Sequence, residues 1–416
     1  MLMTPSTRPH PAGRDRPPAD GAPAVLILSG SVGAGHDGAA QELARRLRGR
    51  GVDVDVRDYL EALPGWYRIL LREGYTASVN RVPAVFQWLF DNIEHNRWVR
   101  GAAILSCHLG DRRVRHWAGA RQYGAVVSTY PLASQTLGTL RARGRLVAPA
   151  VTYLTDPAAH RTWVHRHVDL HLTVTPATAE QGEATYGIPM RAAGPLVPPR
   201  FAGDLDPVRR ARLRAALGIG IEQRVALLVS GSLGLGDLEG TSRAVQEAGL
   251  VPLVLCGRNA ALRRRLSALP GVLACGWRDD VHELMHLADV LVHNAGGLSY
   301  TEALVAGLPA VSYRCIAGHG RANAAVLERS GSAPWARSAE QFARALNEQA
   351  SRCRAGARHG DPADQVLGLL TLSAAGDHLL PAARTAGVIG PGRSPAHGRA
   401  AGRLFSPGRR EDPAAG

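Results

Sequence analysis

The chain has 416 residues and a formal net charge of +14, 45% of it is hydrophobic, and all 49 of its basic residues are arginine. That length accommodates two substantial domains, each with its own core. The charge alone admits nucleic acid, an anionic membrane surface or a phosphate-bearing substrate. No zinc finger, basic zipper or aromatic-rich module accompanies it, which argues against a nucleic-acid partner, and five scattered cysteines without ligand spacing argue for a reducing compartment and against a metal site.

Residues 1–21 read as a flexible N-terminus without the apolar core of a secretory signal. No run reaches the ~18 apolar residues of a membrane-spanning helix. The expectation is therefore a cytoplasmic protein whose membrane association, if any, is peripheral, at the cytoplasmic face.

The first element is an apolar strand at 25–28, followed by the turn SGSVGAG and a helix pattern over 36–48. Alternating VDVDV at 52–56 makes a second strand, and a parallel α/β sheet accommodates both. Gly33 and Gly35 let backbone amides approach an anion or a sugar oxygen, but the full dinucleotide signature is absent. His36, at the end of the turn, reads either as a capping histidine or as a general base for an acceptor hydroxyl.

Residues 63–109 mix aromatic and aliphatic side chains with arginines. A helix face packed inside the lobe accounts for most of these positions. Trp66 and Trp88, with Arg68, Arg72 and Arg81 nearby, also offer a combination suited to a membrane interface.

Further strands are predicted at 125–128 and 147–154, the second running into TDPAAHRTWVHRHVDLH. Asp156, His160, Trp163, His165, His167 and His171 cluster there without zinc-site spacing, so a cleft wall is preferred to a metal cage. Asp156 reads as orienting a histidine or an acceptor hydroxyl, or as a structural ion-pair partner. Residues 187–201, rich in glycine and proline, read as a hinge.

A second α/β rhythm follows, with strands at 225–229, 251–255 and 290–293. The last enters NAGG and a helix near Ser299. Gly296 and Gly297 permit close approach, Ser299 and Thr301 offer hydroxyl donors, and the helix start favours a diphosphate. Glu302 suits paired ribose hydroxyls, or a capping box with Ser299. Downstream, Gly318, His319, Gly320 and Asn323 are candidates to close around sugar and phosphates.

Three motifs in order carry a resemblance: GAGH at 33–36, TDPAAHRTW at 155–163 and AGGLSYTEAL at 295–304. Over residues 25–335 the chain resembles a GT-B glycosyltransferase of family 28, in particular the monogalactosyldiacylglycerol synthase and processive diacylglycerol glucosyltransferase branch, and more distantly the peptidoglycan lipid glycosyltransferase. The resemblance implies two Rossmann-like α/β domains facing across a cleft. It implies an inverting transfer of a sugar from a UDP-sugar, with no cofactor, to a lipid hydroxyl such as that of diacylglycerol at an anionic membrane surface.

Carried onto this chain, it makes His36 the base and Asp156 its support, with Gly33, Gly35, His160 and Trp163 on the acceptor side. Gly296, Gly297, Ser299, Thr301, Glu302 and Asn323 become donor-binding residues, and Trp66 and Trp88 membrane-facing ones. The expected layout is an acceptor domain over 22–195, a nucleotide-sugar domain over 196–360, a return helix within 361–381 and a disordered basic tail over 382–416. Ser230, Ser232, His319 and Gly320 depart from the family pattern, so the donor sugar stays open. The acceptor lipid, processivity and oligomeric state stay open too. The competing readings are a nucleotide-sugar epimerase and a noncatalytic UDP-sugar-binding protein.

Overall fold

The computed structural model describes residues 23–229, 231, 236–354, 356 and 359–374. The expectations for the N-terminus, the basic tail, Ser230 and Ser232 lie outside the described residues.

Two parallel sheets follow one another along the chain, with helices alternating between strands. The first contains β1 (Ala24–Ser29), β2 (Asp53–Asp58), β3 (Ala125–Ser128), β4 (Ala150–Tyr153), β5 (Leu170–Thr173) and β6 (Arg191–Ala192), in the order β2-β1-β3-β4-β5-β6. The second contains β7 (Val225–Val229), β8 (Val251–Leu255), β9 (Leu273–Cys275), β10 (Val290–His293), β11 (Ala310–Tyr313) and β12 (Trp335–Ala336), in the order β12-β11-β10-β7-β8-β9. The central strands β1, β3, β7 and β10 are buried along their whole length. Their continuous runs of valine, leucine and alanine match sheets covered by helices on both faces.

Each sheet reverses its strand order once, between β1 and β3 and between β7 and β10. Crevices at the carboxyl ends of strands beside such reversals are where open α/β sheets bind ligands. The turn after β1 leads into the helix Ala34–Arg48, and the turn after β10 leads into the helix Gly297–Val305. Both motif-bearing turns therefore sit at a reversal, one per lobe.

The connection between lobes begins later than residue 187, because β6 still pairs with β5. Two chain segments link the lobes and touch: Gly194 has φ +98, and a Cβ there would lie 2.2 Å from the Gly360 carbonyl oxygen. The helix Pro362–Ala374 then returns to the first lobe, where Val366, Leu369 and Leu370 join its core. Asp361, just before it, is held by Arg46 and Arg50 at 3.0 and 2.5 Å.

The aromatic stretch folds as three helices, Gly65–Arg81, Pro83–His95 and Arg97–Cys107. None of the residues of the Pro83–His95 helix is buried. Trp66, Trp88 and Trp98 are 64, 60 and 75% exposed, so packing inside the lobe does not account for them. Tyr67 and Leu71 do pack against the core.

Candidate active site

The two reversals open onto one cavity of about 580 Å³ between the lobes. Gly33, Gly35 and His36 line it from the first lobe, and Gly296, Gly297 and Ser299 from the second.

His36 lies in the first turn of the Ala34–Arg48 helix, after the N-cap Gly33. Its Nδ1 is 2.8 Å from the Thr129 carbonyl oxygen at the end of β3. A carbonyl can only accept, so Nδ1 carries the proton, and the Thr155 hydroxyl oxygen at 3.1 Å shares it. This leaves the Nε2 lone pair with no protein partner among the described residues. Burial pushes the His36 imidazole below its ordinary value, against the opposing charges of Asp156 and Asp37. The ring is therefore neutral at neutral pH, as a base must be.

Asp156 is saturated with donors. Its Oδ2 accepts from Trp163 Nε1 at 2.9 Å and from His160 Nε2 at 3.3 Å, and its Oδ1 accepts from Asn323 Nδ2 at 3.3 Å. Burial would raise its carboxyl, but the hydrogen bond and charge of His160, with His319 and His36, hold it well below the usual carboxylate range. Trp163, expected on the acceptor side, is fully buried and supports Asp156 from behind rather than facing the cavity. His160 lines the cavity and is fixed on its other nitrogen by the Thr162 hydroxyl at 2.7 Å.

On the second lobe, Gly296 is the N-cap of the Gly297–Val305 helix and provides no side-chain cap, so no cap side chain takes up the first amides of the helix. The helix begins at Gly297, which makes Ser299 its third residue and removes the capping-box alternative for Glu302. Glu302 lines the cavity, and its carboxyl is pushed up to about 8 by burial, with Arg200 acting in the opposite sense. Gly297 brings the lobes close beside the cavity: a Cβ there would lie 2.3 Å from the Thr155 carbonyl oxygen.

Two of the expected donor-binding residues are engaged within the protein. Thr301 is buried and its hydroxyl donates to the Gly297 carbonyl at 2.8 Å, so it is spent within its own helix. Asn323 is fully buried and is engaged by Asp156, Ala158 and Ala295 instead of facing the cavity. His319 does line the cavity. Position 320 has no room for a side chain, because a Cβ would lie 2.4 Å from Ile316.

Residues not singled out from the sequence also form walls. Phe86, Leu89, Phe90 and Ile93 of the Pro83–His95 helix make one side apolar, while Trp277 and Arg278 line the cavity from the second lobe. The i, i+3, i+4, i+7 spacing of the first four was a legible signal. Trp277 follows β9 at the carboxyl edge of a parallel sheet, where ligand contacts concentrate. His165 and His171 stay outside the cavity lining, and burial pushes both down to about 4.

Residues 36–192 match the family model described as monogalactosyldiacylglycerol (MGDG) synthase, and residues 238–351 match the model described as glycosyl transferases group 1. A processive diacylglycerol beta-glucosyltransferase of Bacillus pumilus (strain SAFR-032) is 24% identical over 323 residues, covering 74% of this chain and 82% of the relative. Among solved structures, Acinetobacter baumannii MurG superposes with a TM-score of 0.51 at 18% identity, covering 84% of this chain and 99% of that one. Medicago truncatula UGT71G1 complexed with UDP-glucose superposes with a TM-score of 0.51 at 13% identity, covering 85% and 94%. The likeness to both structures is one of fold. The relatives are those the three motifs led us to expect.

Proposed function

We propose, on the premise that the chain is a GT-B glycosyltransferase related to the diacylglycerol glucosyltransferases, that it transfers a hexose from a UDP-sugar to a hydroxyl of a lipid such as diacylglycerol. The observation that carries this reading is His36, its Nδ1 held by Thr129, in the lining of a cavity that Gly296, Gly297 and Ser299 of an uncapped helix start also line.

In this reading the diphosphate rests on the amides after Gly296, with Ser299 beside it, and Glu302 takes the ribose hydroxyls. The acceptor hydroxyl lies between His36 and the anomeric carbon. Its oxygen forms the new bond to that carbon from the face opposite the leaving group, its proton passes to Nε2, and the carbon–oxygen bond to the diphosphate breaks, so the configuration inverts. Asp156, held ionised, stabilises the imidazolium through space. Residues 22–195 are assigned to the acceptor lobe and 196–360 to the donor lobe.

The lipid is proposed to enter along the Pro83–His95 helix, which lines the cavity with Phe86 and Phe90 and exposes Trp88. Trp66 and Trp88 then dock on an anionic membrane surface, aided by the neighbouring arginines. No helix among the described residues is long and apolar enough to cross a membrane.

The test is incubation with labelled UDP-glucose and UDP-galactose and vesicles containing diacylglycerol. Label entering the lipid fraction supports the reading. Donor binding without a lipid product, or label recovered only as an epimerised nucleotide sugar, refutes it.

A further inference from the structure

One side-chain amide joins the acceptor and donor halves of the site. Asn323 belongs to the helix His319–Arg329 of the second lobe and is fully buried. Its Oδ1 accepts the Ala158 backbone N–H at 2.9 Å. Its Nδ2 donates to the Ala295 carbonyl at 2.9 Å and to Asp156 Oδ1 at 3.3 Å. One N–H donor on one side and two oxygens on the other fix which way the amide points. Both of its N–H groups and its oxygen are used, which leaves neither N–H for a sugar hydroxyl.

The partners of this amide are the functional turns themselves. Asp156 and Ala158 belong to the acceptor-side motif. Ala295 opens the donor turn and has φ +68, a conformation that residues other than glycine rarely hold without outside support. The other carboxylate oxygen of Asp156 is held from its own lobe by Trp163 and His160. Asn323 reaches the carboxylate from the opposite lobe, next to where Gly297 meets the Thr155 carbonyl.

We propose that Asn323 is a cross-lobe positioning residue: it orients the Asp156 carboxylate toward His36 only when the lobes are closed and the donor turn is in place. The inference rests on the transfer reading above. Its physical basis is that a carboxylate in a buried site is useful to a developing imidazolium only if its direction is set beforehand. Among the described residues, the charged and titratable groups facing His36 are Asp37 on its own helix, Tyr130 at the N-cap of the helix Pro131–Ala142, Asp156 and His160 on the acceptor turn, and His319 from the second lobe. Asn323 governs the direction of the one carboxylate in that set that lines the cavity.

The experiment compares the full chain with Asn323→Ala and Asn323→Asp, using diacylglycerol vesicles and whichever of UDP-glucose and UDP-galactose the wild type transfers. With Asn323→Ala, kcat is expected to fall by ~10- to 100-fold, as for a misdirected catalytic group. Donor KM and calorimetric UDP affinity should stay within about threefold, since no donor contact is removed. Asn323→Asp keeps the acceptor for Ala158 but sets a second carboxylate beside Asp156. That variant should lose kcat as well, and its acidic limb should move to higher pH because added negative charge favours protonated His36.

A raised donor KM at unchanged kcat would make Asn323 a sugar ligand and overturn the proposal. So would a loss of kcat in Asn323→Asp with an unmoved acidic limb. A wild type that transfers neither sugar sinks the transfer reading, and the proposal with it.

Discussion

Replacing Gly297 with alanine tests whether the two halves of the site depend on close contact between the lobes. The added Cβ would lie 2.3 Å from the Thr155 carbonyl oxygen, 3.2 Å from its carbon and 3.4 Å from Asp156 Oδ1. Carbon and oxygen approach comfortably only to about 3.3 Å, so the helix and the acceptor turn must separate by roughly 1 Å. The obstructing atoms are backbone and cannot rotate aside. Overpacking of this kind costs about 1–3 kcal/mol. The same shift moves Thr155, whose hydroxyl contacts His36, and Asp156 next to it. A displacement of ~1 Å in reacting geometry is worth about 100-fold in rate. Steady-state transfer with Gly297→Ala should therefore show kcat reduced by ~10- to 100-fold, while UDP binding by calorimetry persists because the helix amides remain. Gly38→Ala is the control: its Cβ would meet Leu298 no closer than 3.8 Å, an ordinary contact, and activity should be kept. A Gly297→Ala protein that turns over like the wild type would refute the claim that contact between Gly297 and Thr155 sets the geometry.

His36→Ala should abolish transfer and leave UDP affinity intact; equal loss of both would move His36 into the donor pocket or the folding core. Because burial holds the His36 imidazole below its ordinary value, the wild-type kcat at saturating UDP-sugar should stay flat as pH falls through 6.5 and drop only below it, when the base takes up a proton. A limb above that point in the kcat–pH profile contradicts the assignment. Glu302→Ala should weaken UDP binding. In the wild type, UDP affinity should rise as pH increases toward about 8, since the carboxyl must ionise to accept two ribose hydroxyls; pH-independent calorimetric affinity would reject that role. Polar replacements at Trp66 and Trp88 should reduce flotation with anionic vesicles without altering UDP binding, whereas unchanged flotation would remove both tryptophans from the membrane surface.

Much of the site was legible because its parts are local. Gly33 to His36 and Gly296 to Ser299 each lie within a few residues, at the end of an apolar strand and the start of a helix, and local spacing is what a sequence displays directly. Glu302 follows from the same helix. The partners of Thr301 and Asn323 were not legible because side-chain direction depends on packing: Thr301 turns back on its own helix, and Asn323 is claimed by atoms 28 and more than 160 residues away. The hydrogen bond from Trp163 to Asp156 depends on packing in the same way and is not displayed by spacing. Position 320 carries no larger side chain because Ile316 and the Asn294 carbonyl occupy the space, a constraint that spacing does not reveal.

The alternation of buried strands with helices, the two-lobe division and the three motif-bearing turns could be read along the chain, because these rest on apolar runs, glycine positions and chain-local geometry. Packing alone reveals that all three turns open on one cavity, that Thr129 sets the His36 tautomer, that Asp156 is bound from both lobes, and that Trp66 and Trp88 stand in solvent. Each of those facts joins atoms far apart in the chain, and burial and hydrogen-bond direction take their values only once the two lobes have come together.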